Sequence, residues 1–225
     1  MPDNLARNSR QETFFPADSL DTAHVLVIGV GGVGRRVAED LAYVKPASLW
    51  LCDPDTIEDV NTGPQRWFQD SIGLLKVLEL ADSLPDGRED RVFAGRFSPN
   101  FYTIFRKELP SDGRVFVFCC VDNIESRREI RDILGRDPVV LIDGRVGGET
   151  FRIVTVVCNG QAPSTYHKTL PKVALDAPSA ERMGTHVAAT CAATMIGQMS
   201  RFLRKWPVPR DIVANLKTYE WEVTE

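Results

Sequence analysis

Five cysteines, odd in number and with no Cys-x-x-Cys pair among them, exclude a four-cysteine zinc site and argue against a disulfide framework. Cys52, Cys119, Cys120, Cys158 and Cys191 mostly lie inside apolar runs, so reduced thiols in a cytoplasmic protein are expected, and no zinc. Long apolar runs are missing as well. The stretch Val25–Val33 is glycine-rich and far short of the roughly 20 residues needed to cross a bilayer. The N-terminus opens on polar residues without the hydrophobic segment of a secretory signal. Charge of one sign is scarce: a formal net charge of -4 gives no reason to expect nucleic acid or an anionic membrane as partner. No internal repeat or low-complexity tract interrupts the chain. What remains is 225 residues, 43% hydrophobic and 26% charged, enough for one α/β domain with a sizeable core and short for two.

Residues 1–23 are polar and read as an arm; residues 24–225 read as a single domain. His24–Gly29 is a short apolar strand, and Gly32–Tyr43 is helical in period, with Val33, Val37 and Leu41 on one face. Ser48–Cys52 is a second strand ending at Asp53, and Ile72–Leu84 a helix closed by Pro85. A weak strand at Arg91–Ala94 and a short helix at Asn100–Glu108 precede a strong apolar strand at Arg114–Val121. A polar helix at Ile124–Leu134, strands at Val139–Asp143 and Phe151–Cys158, and a helix at His186–Lys205 follow. Strand–helix alternation with near-continuous apolar strands predicts a doubly wound, mostly parallel sheet of Rossmann-like type, covered on both faces. Thr218–Val223 is expected as a late antiparallel edge. Asn159–Thr185 carries Pro163, Pro171 and Pro178 and reads as a long functional loop.

Gly29-Val30-Gly31-Gly32-Val33-Gly34 follows a strand and opens a helix. Glycine is required where a backbone turns tightly and approaches a phosphate, and the helix start offers free N–H groups to the anion. Asp53 ends the second strand, where a carboxylate can accept from ribose hydroxyls. This half fits NAD as well as ATP.

The residues after Asp53 separate the two. Asp53-Pro54-Asp55-Thr56-Ile57-Glu58-Asp59-Val60-Asn61 resembles the D-x-D-x-[VI]-E-x-x-N stretch of the ThiF/MoeB/HesA family, prokaryotic relatives of ubiquitin-activating enzymes. Gln65-Arg66, then Ile72-Gly73 and Lys76, are similar to that family's R-Q…[DV]-[IV]-G-x-x-K. Asp122-Asn123-x-x-x-Arg127 resembles its D-N-x-x-x-R, and Arg7-Asn8-Ser9-Arg10-Gln11 is similar to its R-Y-S-R-Q. The resemblance implies an adenylyltransferase that uses ATP and Mg²⁺ to activate the C-terminal glycine of a ubiquitin-like or sulfur-carrier protein. It also implies a homodimer, with a conjugating enzyme as a further candidate partner. Carboxylate attack on the α-phosphorus builds negative charge, so the work is charge neutralisation and alignment. Lys76 suits a phosphate as a point charge, Arg66 as a planar fork, and Asp122 suits Mg²⁺. Gly29, Gly31, Gly32, Gly34, Asp53, Asp55, Gln65, Asn123 and Arg127 complete the expected nucleotide site. The resemblance further implies that Asn61 orients the phosphates and that Arg10 reaches those of the other subunit.

Two departures stand out. Pro64 occupies the place of the family's arginine, with Arg66 two residues later, and proline fixes φ and removes a donor. The 159–185 loop holds no cysteine, where several relatives place a nucleophile, so a thioester step is in doubt. Cys191 is expected to pack in an alanine-rich helix, and His186 lies five residues before it, off the four-residue spacing of a shared face. Tyr166 and His167 are candidates to touch an incoming tail.

Overall fold

The computed structural model describes residues 10–85, 91–135, 137–158, 164–170 and 183–225. The strands are β1 (Ala23–Ile28), β2 (Ser48–Cys52), β3 (Val92–Phe93), β4 (Arg114–Cys119), β5 (Val139–Gly147), β6 (Thr150–Cys158), β7 (Asp211–Asn215) and β8 (Glu220–Thr224). The helices are α1 (Ala17–Leu20), α2 (Gly32–Val44), α3 (Lys76–Ser83), α4 (Pro99–Lys107), α5 (Ile124–Leu134), α6 (Ser164–Thr169) and α7 (Thr185–Leu203). The strands form one sheet in the order β3-β2-β1-β4-β5-β6-β7-β8. β3, β2, β1, β4 and β5 are mutually parallel. From β5 onward the pairing is antiparallel. The expected doubly wound sheet is present, but its antiparallel part is three strands rather than a single edge.

The apolar strands are continuous because both faces are covered. In β1, Val25 and Val27 join a core with α2, α3 and α7, while Leu26 and Ile28 join a second core with α4, α5 and α6. β4 repeats this: Phe116 and Phe118 face one core, Val115, Val117 and Cys119 the other. β5 outruns its apolar residues, continuing through Gly144–Gly147 and reversing at Gly148, whose φ of 60° suits glycine. β7 escapes a local reading because it follows Pro207 and Pro209 and spans only five positions.

The small-residue face of α7 packs on the sheet. A Cβ at Gly144 would meet Met195, and would sit 3.3 Å from Cys191 Sγ, so this helix and β5 touch through absent atoms. Within the arm, Ser200 Oγ donates to the Phe14 carbonyl at 2.8 Å, and Leu20 is buried. The long loop is not wholly irregular: α6 lies within it, with Tyr166 and Leu170 in the second core. Its remaining residues, and the His167 side chain, lie outside the described set. Among the described residues no helix is long and apolar enough to cross a membrane.

Candidate active site

The glycine turn is shaped by what its neighbours leave no room for. Gly29 has φ 85°, and a Cβ there would lie 2.8 Å from the Cys120 carbonyl oxygen. A Cβ on Gly34 would collide with the Gly29 carbonyl, so α2 can start only where side chains are missing. Gly31 faces the side chain of Gln65, and Gly32 faces Met183, the residue that returns from the long loop. The segments after β1, β2 and β4 therefore meet at one place, the C-terminal edge of the parallel strands, where open α/β sheets bind ligands.

Asp53 fixes that turn. One carboxylate oxygen accepts from Val30 N at 2.7 Å and the other from Asp55 N at 2.8 Å. Burial pushes its pKa up, while those two N–H groups and the Lys76 charge pull it back. Lys76 opens α3 and is only 5% exposed; its Nζ donates to Asp55 Oδ2 at 3.1 Å and its amide to the Asp55 carbonyl at 3.0 Å. Asp53, Asp55 and Lys76 thus form one chain from the turn to the helix. Gln65 Oε1 accepts from Trp67 Nε1 at 3.3 Å. Asn61 Oδ1 accepts from Glu58 N at 3.0 Å, so that part of its amide is used in a short 3₁₀ turn.

Arg66 stands apart. Its φ is 64°, its side chain is 59% exposed, and its nearest carboxylate is Glu39 at 3.7 Å. Its carbonyl accepts from Arg35 Nη1 at 2.8 Å, and Arg35 stacks on Trp67 at 4.1 Å. Asp122 and Asn123 are exposed beyond the end of β4. Asn123 caps α5, accepting from Ser126 N at 2.8 Å, and donates to Asp122 Oδ1 at 3.1 Å. Arg10 is exposed in the arm.

Two expected site side chains are already engaged within the fold. Arg127 is buried at this edge, pairs with Asp143, and donates to the carbonyls of Val121 and Gly144. Burial opposes its charge, and Asp143 together with Cys119, Tyr166 and Cys120 more than offsets that, leaving its pKa raised. Tyr166 does not await a partner. It is 1% exposed and donates to Asp143 Oδ2 at 2.9 Å, because α6 tucks its aromatic face against the sheet.

Several functional-looking residues went unread in the sequence. Asp143 accepts from Arg127, Tyr166 and, at 2.7 Å, Arg145 Nε, while Arg145 also donates to the Thr169 carbonyl at 2.7 Å. The available signal was an aspartate at the end of an apolar run, the same one that marks Asp53. Arg35 and Arg36 directly follow the glycine turn; Arg36 bonds the Gly32 carbonyl and, at 2.6 Å, Thr185 Oγ1, joining the starts of α2 and α7.

All five cysteines are free. Burial pushes Cys119 and Cys191 up to about 12 and raises Cys52, Cys120 and Cys158 as well, so none is a thiolate near neutral pH. Cys191 is wholly buried, as expected of a packing residue, whereas His186 is exposed, 3.8 Å from Glu149. Among the described residues no three His, Cys, Asp or Glu side chains cluster as a metal site.

Comparison with known proteins places this geometry. Ubiquitin-like modifier-activating enzyme 5 of Caenorhabditis elegans is 36% identical over 115 residues, covering 47% of this chain and 27% of that protein. The tRNA threonylcarbamoyladenosine dehydratase of Escherichia coli (strain K12) is 36% identical over 63 residues, 28% of this chain and 24% of that one. These matches thus span only about a quarter of the relatives' own lengths. In the solved structures, E. coli MccB with ATP superposes with TM-score 0.69 at 18% identity, covering 100% of this chain and 72% of MccB. PaaA superposes with TM-score 0.70 at 18% identity, covering 100% and 84%. At such identity these two show the fold. The model of the ThiF family matches residues 8–220, through the glycine turn, the parallel strands and the antiparallel strands alike, and the chain belongs to that family.

Proposed function

We propose that this chain is an adenylyltransferase that binds ATP over the glycine turn and transfers AMP to the C-terminal carboxylate of a ubiquitin-like or sulfur-carrier protein. The observation that carries this reading is the buried Lys76, held by Asp55, at the same sheet edge as the turn. The names of the relatives support it: one is an activating enzyme for a ubiquitin-like modifier, and MccB has been solved with ATP.

A carboxylate oxygen attacks the α-phosphorus, the bond to the bridging oxygen breaks, and pyrophosphate departs, leaving an acyl-adenylate. The N–H groups at the start of α2 face the phosphates, and Lys76 supplies a fixed positive charge. Gly31 and Gly32 let the backbone approach closely. Mg²⁺ fits the exposed Asp122 carboxylate, since this ion is held by one or two carboxylates together with phosphates and water, and it would shield phosphate charge there. Arg66, exposed and weakly paired, is free to swing toward the triphosphate.

Arg10 acts in trans within a homodimer on this reading. Phe14 is bound to Ser200, about 22 Å along α7 from Thr185 at a rise of about 1.5 Å per residue. The amides of Phe14 and Phe15 both donate to the Gln11 carbonyl at 2.8 Å, so the arm is coiled and Arg10 stays near that far end of its own chain. No thioester is proposed, because the thiols are buried and neutral; the adenylate passes to an external acceptor or a conjugating enzyme.

The test is exchange of labelled pyrophosphate into ATP, driven by a carrier protein ending in glycine. Exchange in the wild type, reduced at least a hundredfold in Lys76→Ala and Asp122→Ala with folding retained, is the expected outcome. Exchange without any protein carboxylate would favour a small-substrate adenylase. ATP binding without exchange would favour a non-catalytic partner subunit.

A further inference from the structure

The far end of α7 carries a surface that the adenylation site does not use. Residues 201–210, Arg-Phe-Leu-Arg-Lys-Trp-Pro-Val-Pro-Arg, contain four cations and no acid, in a chain whose net charge is -4. Arg114 joins them from the start of β4, lying 5.9 Å over the Phe202 ring. Among the described residues, no carboxylate forms an ion pair with Arg114, Arg201, Arg204, Lys205 or Arg210. The guanidinium groups are instead held rigidly. Arg204 stacks on Trp206 at 3.7 Å and on Phe14 at 5.5 Å, and Arg201 Nε donates to the Pro207 carbonyl at 2.7 Å. Between them opens a groove of about 390 Å³, with Val157, Phe202, Trp206 and Val208 as its floor and Arg114 and Lys205 at its rim. Trp206 and Val157 are 52% and 51% exposed, large apolar side chains only partly covered among the described residues.

We propose that this groove docks an acidic peptide segment of a partner protein, with an apolar side chain entering the floor and flanking carboxylates meeting Arg114 and Lys205. Charge complementarity selects the acid: unneutralised cations on an acidic protein attract a short anionic segment locally. The floor selects a peptide over nucleic acid. It is partly aliphatic, one face of Trp206 is already taken by Arg204, and the protein's overall charge repels an extended polyanion. The groove is separated from the glycine turn of its own chain by most of the 19 residues of α7, so a docked partner leaves that chain's nucleotide edge open.

The experiment uses the full chain and a fluorescein-labelled peptide of glutamates interrupted by leucine, read by anisotropy. Saturable binding is expected at low salt, weakened about tenfold by Lys205→Glu, and weakened again when salt rises to about 0.5 M. Trp206→Ala should also weaken it, and the same peptide with glutamine for glutamate should not bind. Lys205 is exposed, so thermal melts of that variant should match the wild type and separate lost docking from lost folding. Absence of peptide binding, equal affinity in wild type and Lys205→Glu, or tighter binding of an oligothymidylate would each overturn the proposal.

Discussion

Two clusters flank β4 at the same sheet edge, and they are built in opposite ways. Around the glycine turn, the decisive contacts are backbone to carboxylate: Val30 and Asp55 amides donate to Asp53, and glycines keep side chains out. Around Asp143, the contacts run between side chains and from the two arginines to backbone carbonyls, around a carboxylate removed from the surface. One fully buried carboxylate meets Arg127, Arg145 and Tyr166. The first arrangement leaves the helix start and Lys76 at the sheet edge, the kind of groups that favour an anion. The second has no spare capacity. It ties α5, the end of β5 and α6 into one body, and so acts as a frame for the site rather than as part of it.

That contrast predicts very different responses to substitution. Asp143→Ala should give the largest effect, because it strands Arg127 and Arg145 without a counter-charge in a buried place. A loss of about 3–5 kcal/mol is expected in urea unfolding, with a smaller loss for Asp143→Asn, which keeps an acceptor. A loss under about 1 kcal/mol for the alanine variant would show that the cluster is wet and the contrast mistaken. On the other side of β4, Gly34→Ala forces a Cβ into the Gly29 carbonyl, and overpacking of this kind costs about 1–3 kcal/mol. Gly31→Ala should melt near the wild type, since its Cβ would lie 3.7 Å from Gln65, and yet should lose the rise in melting temperature that ATP confers. If Gly31→Ala keeps that rise, the phosphates lie elsewhere.

The parallel half of the fold was legible because its strands are apolar on both faces and its turn is spelled in glycine. The antiparallel half was less so. β7 is short and preceded by two prolines, and its pairing with β6 is a long-range choice that local pattern does not carry. Asp53 was legible by position, at the end of a strand; Asp143 has the same position, and only the neighbours distinguish them. Arg127 shows the same ambiguity. A D-N-x-x-x-R spacing places the arginine on the first turn of α5 but does not say whether its face of the helix points to ligand or to β5. Met183 and Thr185, which touch Gly32 and Arg36, could be found only once the chain had returned from the long loop.

The effect that vanishes near neutral pH concerns alkali, and it belongs to the Asp143 side of β4. Cys119 lies 3.8 Å from Arg127, and Cys191 packs against Gly144; burial pushes both thiols to about 12 from an ordinary 9.0. Below pH 9 both native and unfolded chains hold these protons, so stability does not respond. Between 9 and 12 the unfolded chain releases them while the native chain retains them. The native state then binds more protons, and stability falls as pH rises, by at most about 1.4 kcal/mol per pH unit for each thiol. Urea midpoints should therefore be flat from about pH 7 to 8.5 and decline beyond that, more gently in Cys191→Ala, which removes one of the titrating groups. The glycine-turn side has its own buried thiol, Cys52, raised by burial in the same sense, so Cys52→Ala should flatten the decline too. A midpoint that rose with alkali, or alkylation of native thiols by iodoacetamide near neutral pH, would mean that the thiols are ionised in the folded chain, and a thioester role would return to consideration.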